Sequence, residues 1–307
     1  TVKKDATKPS CTLKASGTTG NSGWYRGNVT ISIGSKSDAT SGVEVAGVGS
    51  YTNGATKTQS ADTTGTTYTG YIRDKAGNTN TCTTTVKKDA TKPSCTLKAS
   101  GTTGNSGWYR GNVTISIGSK SDATSGVEVA GVGSYTNGAT KTQSTDTKGT
   151  TYTGYIRDKA GNTNTCTTTV KRDTTKPYLS LPSSFLNNID VEQWSGSTYF
   201  NPTISNKKCS GNQCTATICL ARREGSFQVT GVSPSFGDAT SGYYTYHVQY
   251  QMFDKNGVLT PTGGCLRTEN DNPCSYKWTY TYEDRAGNTN TFVYDFTVDY
   301  QGFNSCS

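Results

Sequence analysis

The sequence predicts an all-β protein of three tandem β-sandwich domains in an elongated rod, with the third domain elaborated by insertions. Residues 1–84 and 85–168 align without a gap and differ at only two positions. A period of 84 residues is much longer than a solenoid unit and fits a small domain repeated in tandem. We therefore predict two near-identical spacer repeats, 1–84 and 85–168, and a diverged third repeat, 169–307, as the candidate binding or assembly domain.

Alternation of apolar and polar side chains predicts the strands of one repeat. Cys11, Leu13 and Ala15 point to one face, with polar residues between them. Turn clusters rich in Gly, Ser and Thr follow at residues 17–23 and 35–42. Short strands with turns every ~8–12 residues indicate a sandwich of about seven strands. The predicted strand cores are residues 11–15, 29–33, 43–45, 68–72 and 82–86.

The third repeat keeps the framework of the first two and adds insertions. Residues 284–291 match 74–81, and residues 238–242 repeat 38–42. The stretch before 238–242 is about 32 residues longer than its counterpart, and about 10 more follow it. Insertions of this kind usually decorate loops, so we expect them outside the sandwich strands.

The composition fits a turn-rich β protein outside the cell. Of the 307 residues, 31% are hydrophobic and 17% are charged, while 35 are glycine. No apolar stretch of about 18 residues is present, so no membrane span is expected within this segment. The net charge of +8 is dispersed, without the aromatic stripe of nucleic-acid binding. We therefore expect no nucleic-acid partner, no helical bundle and no coiled coil.

The ten cysteines indicate disulfides, because no Cys-x-x-Cys pair suggests zinc and only one histidine is present. Two cysteines of each spacer lie 71 positions apart. The third repeat has Leu179 and Phe292 at the equivalent positions, as expected when a hydrophobic contact replaces a buried bridge. The predicted spacer bridges are Cys11–Cys82 and Cys95–Cys166. In the third repeat, proximity favours Cys209–Cys214, Cys265–Cys274 and Cys219–Cys306 among many pairings.

Four framework motifs recur along the chain: Thr-Lys-Pro at the repeat start, Gly-Trp-Tyr before Asn-Val-Thr-Ile at 28–31, Asp38 with Ser-Gly-Val at 41–43, and Tyr-Ile-Arg-Asp-Lys-Ala-Gly-Asn at 71–78. They resemble the bacterial immunoglobulin-like repeats of Gram-positive cell-surface (adhesin/pilus-like) proteins. The resemblance covers both near-identical repeats and the framework of the third. It implies immunoglobulin-like β-sandwiches in extracellular stalks of adhesins, pilus-like subunits or surface enzymes. That family commonly lacks cysteine, so the predicted disulfides are a departure from it.

Aromatic residues are concentrated in the third repeat, where we expect any specific function. Tyr276, Trp278, Tyr280 and Tyr282 alternate, so all four face one side of a strand. The favoured interpretation is a packed sheet face, and the functional alternative is an aromatic platform for a glycan or protein partner. The candidate ligand-binding residues are Trp194, Tyr243, Tyr244, Tyr276, Trp278 and Tyr280.

Aspartates in the turns raise the question of structural calcium. Asp74 and Asp38 each stand just before a glycine-containing turn, where a carboxylate can accept bonds from backbone amides. Calcium takes about six to eight oxygens, and only scattered carboxylates are available. We therefore favour the turn interpretation and predict no cofactor and no metal site. The resemblance implies the alternative that Asp89, in the junction, joins a neighbouring loop to hold an inter-domain ion.

The sequence offers no catalytic site. His247 is the only imidazole, and it stands among alternating aromatics with no Gly-x-Ser-x-Gly motif. The first nine residues recur at 85–93, which indicates an inter-repeat junction and a segment of a longer polypeptide.

We therefore predict a non-enzymatic, extracellular cell-surface stalk or adhesin segment. Its two disulfide-stapled spacers would project the third domain toward a host or neighbouring-cell glycan or protein. One alternative is a subunit of a surface filament or pilus that assembles with further copies of itself through the third domain. A further alternative is a carbohydrate-binding accessory region of a secreted enzyme.

Overall fold

The computed structural model describes residues 3–180, 190–195, 197–200, 202–220, 226–230, 235–253, 259–260 and 274–300. Within these ranges the chain is all-β, as the sequence predicts, and its strands form several sheets. The described part of the chain contains no helix with the length and hydrophobicity that a bilayer crossing needs.

The first repeat is a seven-stranded β-sandwich. One sheet has the order β1-β3-β5, and the other has the order β2-β7-β6-β4. Two of its strands, the two-residue β2 and the polar β5, fall outside the predicted strand cores. The strands are β1 (Ser10–Ser16), β2 (Trp24–Tyr25), β3 (Val29–Ser37), β4 (Val43–Val48), β5 (Lys57–Gln59), β6 (Thr63–Asp74) and β7 (Thr79–Lys88).

The core of this sandwich is thin and is fixed by one disulfide. Val29 and Ile31 of β3 meet Val48 and Val86 of the opposite sheet. The Cys11–Cys82 disulfide joins β1 to β7 and agrees with the predicted pairing. Such a bridge contributes roughly 2–4 kcal/mol to a small domain, a large fraction of its total stability.

The second repeat repeats this sandwich strand for strand, with sheet orders β12-β10-β8 and β11-β13-β14-β9. Its disulfide is Cys95–Cys166, again the predicted pair. The strands are β8 (Ser94–Ser100), β9 (Trp108–Tyr109), β10 (Val113–Ser121), β11 (Val127–Val132), β12 (Lys141–Gln143), β13 (Thr147–Asp158) and β14 (Thr163–Arg172).

The third repeat is built on a six-stranded sheet of order β18-β19-β25-β24-β22-β23. Two smaller sheets have the orders β15-β21 and β17-β16-β20. The strands are β15 (Tyr178–Ser180), β16 (Asp190–Ser195), β17 (Thr198–Phe200), β18 (Thr203–Ser210), β19 (Gln213–Leu220), β20 (Ser226–Thr230), β21 (Ser235–Gly237), β22 (Tyr243–Phe253), β23 (Leu259–Thr260), β24 (Cys274–Asp284) and β25 (Thr289–Tyr300).

The longer insertion of the third repeat extends the main sheet, whereas the sequence predicts loops there. Strand β19 pairs in parallel with β25, and β18 pairs antiparallel with β19. Ala216 and Ile218 of β19 are buried, so the insertion gains apolar contacts that a surface loop would lack. The predicted Cys209–Cys214 staple closes the β18–β19 hairpin. Cys219 is also disulfide-bonded, while the side chains of Cys265, Cys274 and Cys306 lie outside the described residues.

By packing, the chain divides into two compact units that share the second repeat. Unit 1 comprises Thr1–Ser100, Thr114–Thr142 and Thr151–Thr169. Unit 2 comprises Gly101–Val113, Gln143–Thr150 and Val170–Ser307. The contacts that link the first repeat to the second lie within unit 1, and those that link the second repeat to the third lie within unit 2. The division into three domains remains a prediction from the repeat.

Candidate functional site

The first inter-repeat junction is fixed by Asp89, which is fully buried between its two flanking repeats. Its backbone amide donates to the carbonyl of Tyr25 in the first repeat at 2.8 Å. Its Oδ2 accepts a bond from the amide of Ser125 in the second repeat at 3.0 Å. Asn162 Nδ2 donates to the carbonyl of Asp89 at 3.1 Å. One linker residue is therefore bonded to both repeats through three of its polar groups.

The next junction repeats these contacts around Asp173, which is also fully buried. Its amide donates to the carbonyl of Tyr109 at 2.9 Å, and its Oδ2 accepts from the amide of Ser241 at 3.0 Å. Asn288 Nδ2 donates to its carbonyl at 3.1 Å. The diverged third repeat thus keeps the geometry of the junction.

A buried ion pair fixes the end of each spacer beside the linker. Lys88 Nζ lies 2.6 Å from Asp62 Oδ1, and the two side chains are 4% and 21% exposed. Asp62 also accepts bonds from the amide of Ala90 and from Thr91 Oγ1. Burial acts to raise the pKa of Asp62, but the hydrogen bonds from Lys88, Thr91 and Ala90 outweigh it and lower the pKa.

The second spacer has the same arrangement with arginine in place of lysine. Arg172 Nη1 lies 2.6 Å from Asp146 Oδ1, and Arg172 Nε donates to the carbonyl of Gly111 at 3.0 Å. The hydrogen bonds of Asp146 to Thr174 and Thr175 also lower its pKa against the opposing effect of burial. Both junctions therefore contain a charge-assisted bond that leaves little freedom to the linker.

A loop of one repeat docks on the Ala-Gly-Asn turn of the next repeat. The amide of Asn21 donates to the carbonyl of Ala160 at 3.0 Å. Gly20 is required there, because a Cβ at this position would overlap the carbonyl oxygen of Ala160. This docking buries Ala160 completely.

The same docking links the second repeat to the third. The amide of Asn105 donates to the carbonyl of Ala286 at 3.1 Å, and Ala286 is fully buried. Two further bonds reinforce this contact. Asn105 Nδ2 donates to Glu283 Oε1 at 2.7 Å, and Arg110 Nη1 donates to the carbonyl of Gly287 at 3.1 Å.

Each repeat also gathers three carboxylates beside its linker. One oxygen from each of Asp89, Asp122 and Asp158 lies within 4.8 Å of the others. Asp158 Oδ1 accepts the amide of Asn162 at 2.8 Å, and its Oδ2 accepts Asn162 Nδ2 at 2.9 Å. The equivalent sets are Asp5, Asp38 and Asp74, and Asp173, Asp238 and Asp284.

Most of these carboxylate oxygens accept hydrogen bonds within turns and the linker, in line with the turn interpretation of the sequence. Asp122 Oδ1 accepts the amides of Gly126 at 2.7 Å and Thr124 at 3.2 Å, whereas its Oδ2 is buried without a hydrogen-bond partner among the described residues. Burial, and then the charge of Asp89, raise the pKa of Asp158. Hard divalent cations prefer carboxylate oxygens, so these three side chains are the donors that a cation would use.

Of the three candidate aromatic residues whose side chains the structure describes, two lie in the core of the third repeat. Trp278 and Tyr280 are 6% and 8% exposed, which leaves little of either ring open to a ligand. Tyr276 is half-buried and packs edge-on against Trp278. Burial, then the neighbouring Tyr250, raises the pKa of Tyr280 to about 12. The side chains of Trp194, Tyr243 and Tyr244 lie outside the described residues.

Two other tyrosines form the open edge of this aromatic face. Tyr246 and Tyr250 of β22 are 50% and 57% exposed. Their rings contact Tyr282 at 6.0 Å and Trp278 at 5.4 Å, measured between ring centroids. The alternation of Tyr246, Val248 and Tyr250 along β22 would have placed both tyrosines on one face of the sheet.

No protein-family model and no curated protein sequence matches this chain. Among solved structures, the chain is similar to a region of a 1.5-MDa bacterial ice-binding adhesin, with 14% identity, a TM-score of 0.35, and coverage of 95% of this chain and 98% of that one. Mouse cadherin-23 EC22–24 matches with 9% identity, a TM-score of 0.34 and 96% of each chain. The fibronectin(III)-like modules of Clostridium thermocellum CbhA match with 12% identity, a TM-score of 0.26, and 52% of this chain and 94% of that one. Structural similarity at these TM-scores does not support a conclusion about function.

Proposed function

We propose that this chain is a non-enzymatic, extracellular stalk segment in which two disulfide-stapled spacer repeats present the third repeat to a partner. The observation that carries the proposal is the buried linker aspartate, Asp89 or Asp173, which bonds to the repeats on both of its sides. A linker that only joins domains has no need of such bonds. A linker that holds them in a fixed relation needs several, because each opposes rotation of the chain.

Three separate contacts support stiffness at each junction. They are the linker aspartate, the buried ion pair of Asp62 or Asp146, and the glycine loop on the Ala-Gly-Asn turn. Each contact opposes bending on its own, so breaking one loosens the junction and breaking two loosens it further. Domains that lack such contacts move relative to each other by default.

The disulfides support an extracellular location. Cys11–Cys82 and Cys95–Cys166 each close a long loop in a thin sandwich. Such bridges persist in oxidising compartments and are rare in the cytosol. We propose attachment to a bacterial surface, in line with the framework motifs of the sequence.

The third repeat is the proposed binding end, with an aromatic edge for a glycan or protein on a host or neighbouring cell. Exposed tyrosines give a large contact area at low entropic cost. Tyr246 and Tyr250 stand on a rigid base, because both rings pack on buried aromatic residues of β24. The alternative is that this edge packs against another copy, which would make the chain a filament or pilus subunit. A glycan-binding accessory region of a secreted enzyme is the third candidate.

The test is binding of the purified chain to glycan arrays and to cells, with sedimentation over a range of concentrations. We expect a monomer that binds, and a Tyr246→Ser/Tyr250→Ser variant that loses binding. Tyr51→Ser/Tyr135→Ser is the matched control, since those tyrosines are 42% exposed but lie on the spacers. Equal binding by both variants would overturn the assignment of the site. Concentration-dependent assembly without binding would favour the filament.

A further inference from the structure

The Ala-Gly-Asn turn of the first repeat is exposed, although the same turn is buried in the second and third repeats. Ala76 is exposed, whereas Ala160 and Ala286 are fully buried. The difference has one cause on the chain itself: Ala160 and Ala286 are covered by the docking loops that contain Asn21 and Asn105. No described residue donates a hydrogen bond to the carbonyl of Ala76.

The exposed turn has the same conformation as the two covered turns. Asp74 Oδ1 accepts the amides of Ala76 and Asn78, each at 2.9 Å. Gly77 has φ of +93°, against +94° at Gly161 and +90° at Gly287. Because the turn is already formed, docking on it would cost little ordering entropy.

The linker before the first repeat makes the same contacts with its repeat as the linker at the first junction makes with the second repeat. Asp5 Oδ2 accepts the amide of Ser41 at 3.0 Å, and Asn78 Nδ2 donates to the carbonyl of Asp5 at 3.3 Å. These are the contacts that Asp89 makes with the second repeat. The half of the junction that belongs to the first repeat is therefore complete.

An open cleft of about 660 Å³ lies where the other half would sit, lined by residues that include Lys4, Asp5, Lys75 and Ala76. Lys4 is the counterpart of Lys88 in the repeat, and Lys88 Nζ is buried against the carboxylate of Asp62. Lys4 itself is exposed. The cleft thus offers the carbonyl of Ala76 to an amide donor and the ammonium group of Lys4 to a carboxylate.

We propose that this face of the first repeat is a docking site for a further repeat of the 1–84 type, joined ahead of Thr1. Such a repeat supplies both missing groups: a Gly-Asn loop for the carbonyl of Ala76 and an Asp62-type carboxylate for Lys4. In a second folded copy, the Gly-Asn loops of the first two repeats are not available, because Asn21 and Asn105 are already engaged. The inference depends on the junction geometry and is independent of what the third repeat binds.

The first test uses the chain as it stands. Ala76→Arg should leave the melting temperature unchanged, because Ala76 is exposed, whereas the matched Ala160→Arg should lower it through loss of a buried contact. Equal destabilisation by both variants would mean that the Ala76 face is already covered, and would overturn the proposal.

The second test joins a copy of residues 1–84 directly ahead of Thr1 and follows trypsin cleavage by the masses of the fragments. We expect the bond after Lys4, exposed in the present chain, to become at least about tenfold more resistant, like the bond after Lys88. Ala76→Glu in the joined chain, or Gly20→Ala in the added copy, should restore fast cleavage at the new junction only. Fast cleavage of the joined chain without either substitution would overturn the proposal, whatever the third repeat proves to bind.

Discussion

The amide of Ser125 donates to Oδ2 of Asp89 at 3.0 Å across 36 positions of sequence. Asp89 belongs to the linker and Ser125 to a loop of the second repeat, so this bond ties the direction of the linker to the body of the domain that follows. Together with the bond from the amide of Asp89 to the carbonyl of Tyr25, it attaches the linker to both sandwiches. The proposed stiffness of the junction depends on such bonds.

The buried ion pair at the first junction should be worth more than a surface pair. We expect Asp62→Asn to lower the free energy of unfolding by about 2–4 kcal/mol, because Lys88 would keep a buried charge without a partner. The matched control is Glu44→Gln, which breaks the exposed Arg73–Glu44 pair and should cost under ~0.5 kcal/mol. Denaturant titration of both variants measures the difference, and equal effects would contradict it.

The same pair gives a pH dependence with a definite sign. The pKa of Asp62 is lowered in the folded protein. Its contribution is therefore complete above the ordinary aspartate pKa of about 4 and is lost as the pH falls through the folded value. The gap in stability between the wild type and Asp62→Asn should close in acid, and a gap that widens as the pH falls would argue against this assignment.

Gly70 lies opposite Cys82 and leaves room for the first disulfide. A Cβ on Gly70 would lie 2.7 Å from Leu13 Cδ2 and 2.9 Å from Cys82 Sγ. We expect Gly70→Ala to destabilise the repeat by about 1–3 kcal/mol through overpacking. Gly65→Ala on the same strand is the control, since its nearest contact would be an ordinary 3.4 Å to Thr85 Cγ2, and thermal melts should show little loss. Loss of stability in the control alone would refute the packing argument.

The carboxylates at the second junction should repel one another. Burial raises the pKa of Asp173, and the charge of Asp238 adds to the rise. Asp238→Asn removes that charge and keeps the Oδ1 that accepts the amides of Ser241 and Gly242. We expect it to stabilise the third repeat by roughly 0.5–1.5 kcal/mol at neutral pH in a chelating buffer.

The pH profile and a second variant control this prediction. A carboxyl whose folded pKa is raised weakens the fold above that pKa, so the gain from Asp238→Asn should fade as the pH drops through it. Asp238→Ala should instead destabilise, because the two amides lose their acceptor. If these aspartates only stabilise turns, Asp238→Asn should be more stable than the wild type and Asp238→Ala less stable, with and without calcium. A reversal on adding calcium would show that the carboxylates hold the ion.

The aromatic core of the third repeat should delay tyrosine ionisation. Burial raises the pKa of Tyr280 to about 12, and it also raises the pKa of Tyr294. The folded state should therefore lose stability as the pH rises from about 10, where unfolded tyrosines ionise, toward 12. Ultraviolet absorbance titration should resolve a late component that Tyr280→Phe reduces. Ionisation of all tyrosines in one step near the ordinary value would contradict the burial.

Local patterns predicted most of the spacer fold. Alternation located the cores of β1, β3, β6 and β7, because one face of each is at least partly buried and the other is solvated. Replacement of a cysteine pair by Leu179 and Phe292 predicted the two long-range disulfides. In the third repeat Tyr280 also takes the place of Gly70, so the space left by the bridge is filled by an aromatic ring.

The rest depends on contacts that a single repeat does not contain. Strand β2 has two residues and is held by pairing with the end of β7, so it has no periodicity to detect. The docking of Asn21 on Ala160 depends on the geometry of the junction, and the same residues occur in the exposed turn of the first repeat. Exposure of Tyr246 and Tyr250 depends on their position near the sheet edge, which no local pattern specifies.

The central claim is that consecutive repeats are held in one fixed relation, and a distance distribution across the first junction tests it most directly. Spin labels at Lys14→Cys and Lys98→Cys occupy equivalent exposed positions on β1 and β8, with the native disulfides kept oxidised. Pulsed electron resonance should give one narrow distance distribution, and Gly20→Ala together with Asp62→Asn should broaden it. A broad distribution in the unsubstituted junction would contradict the account.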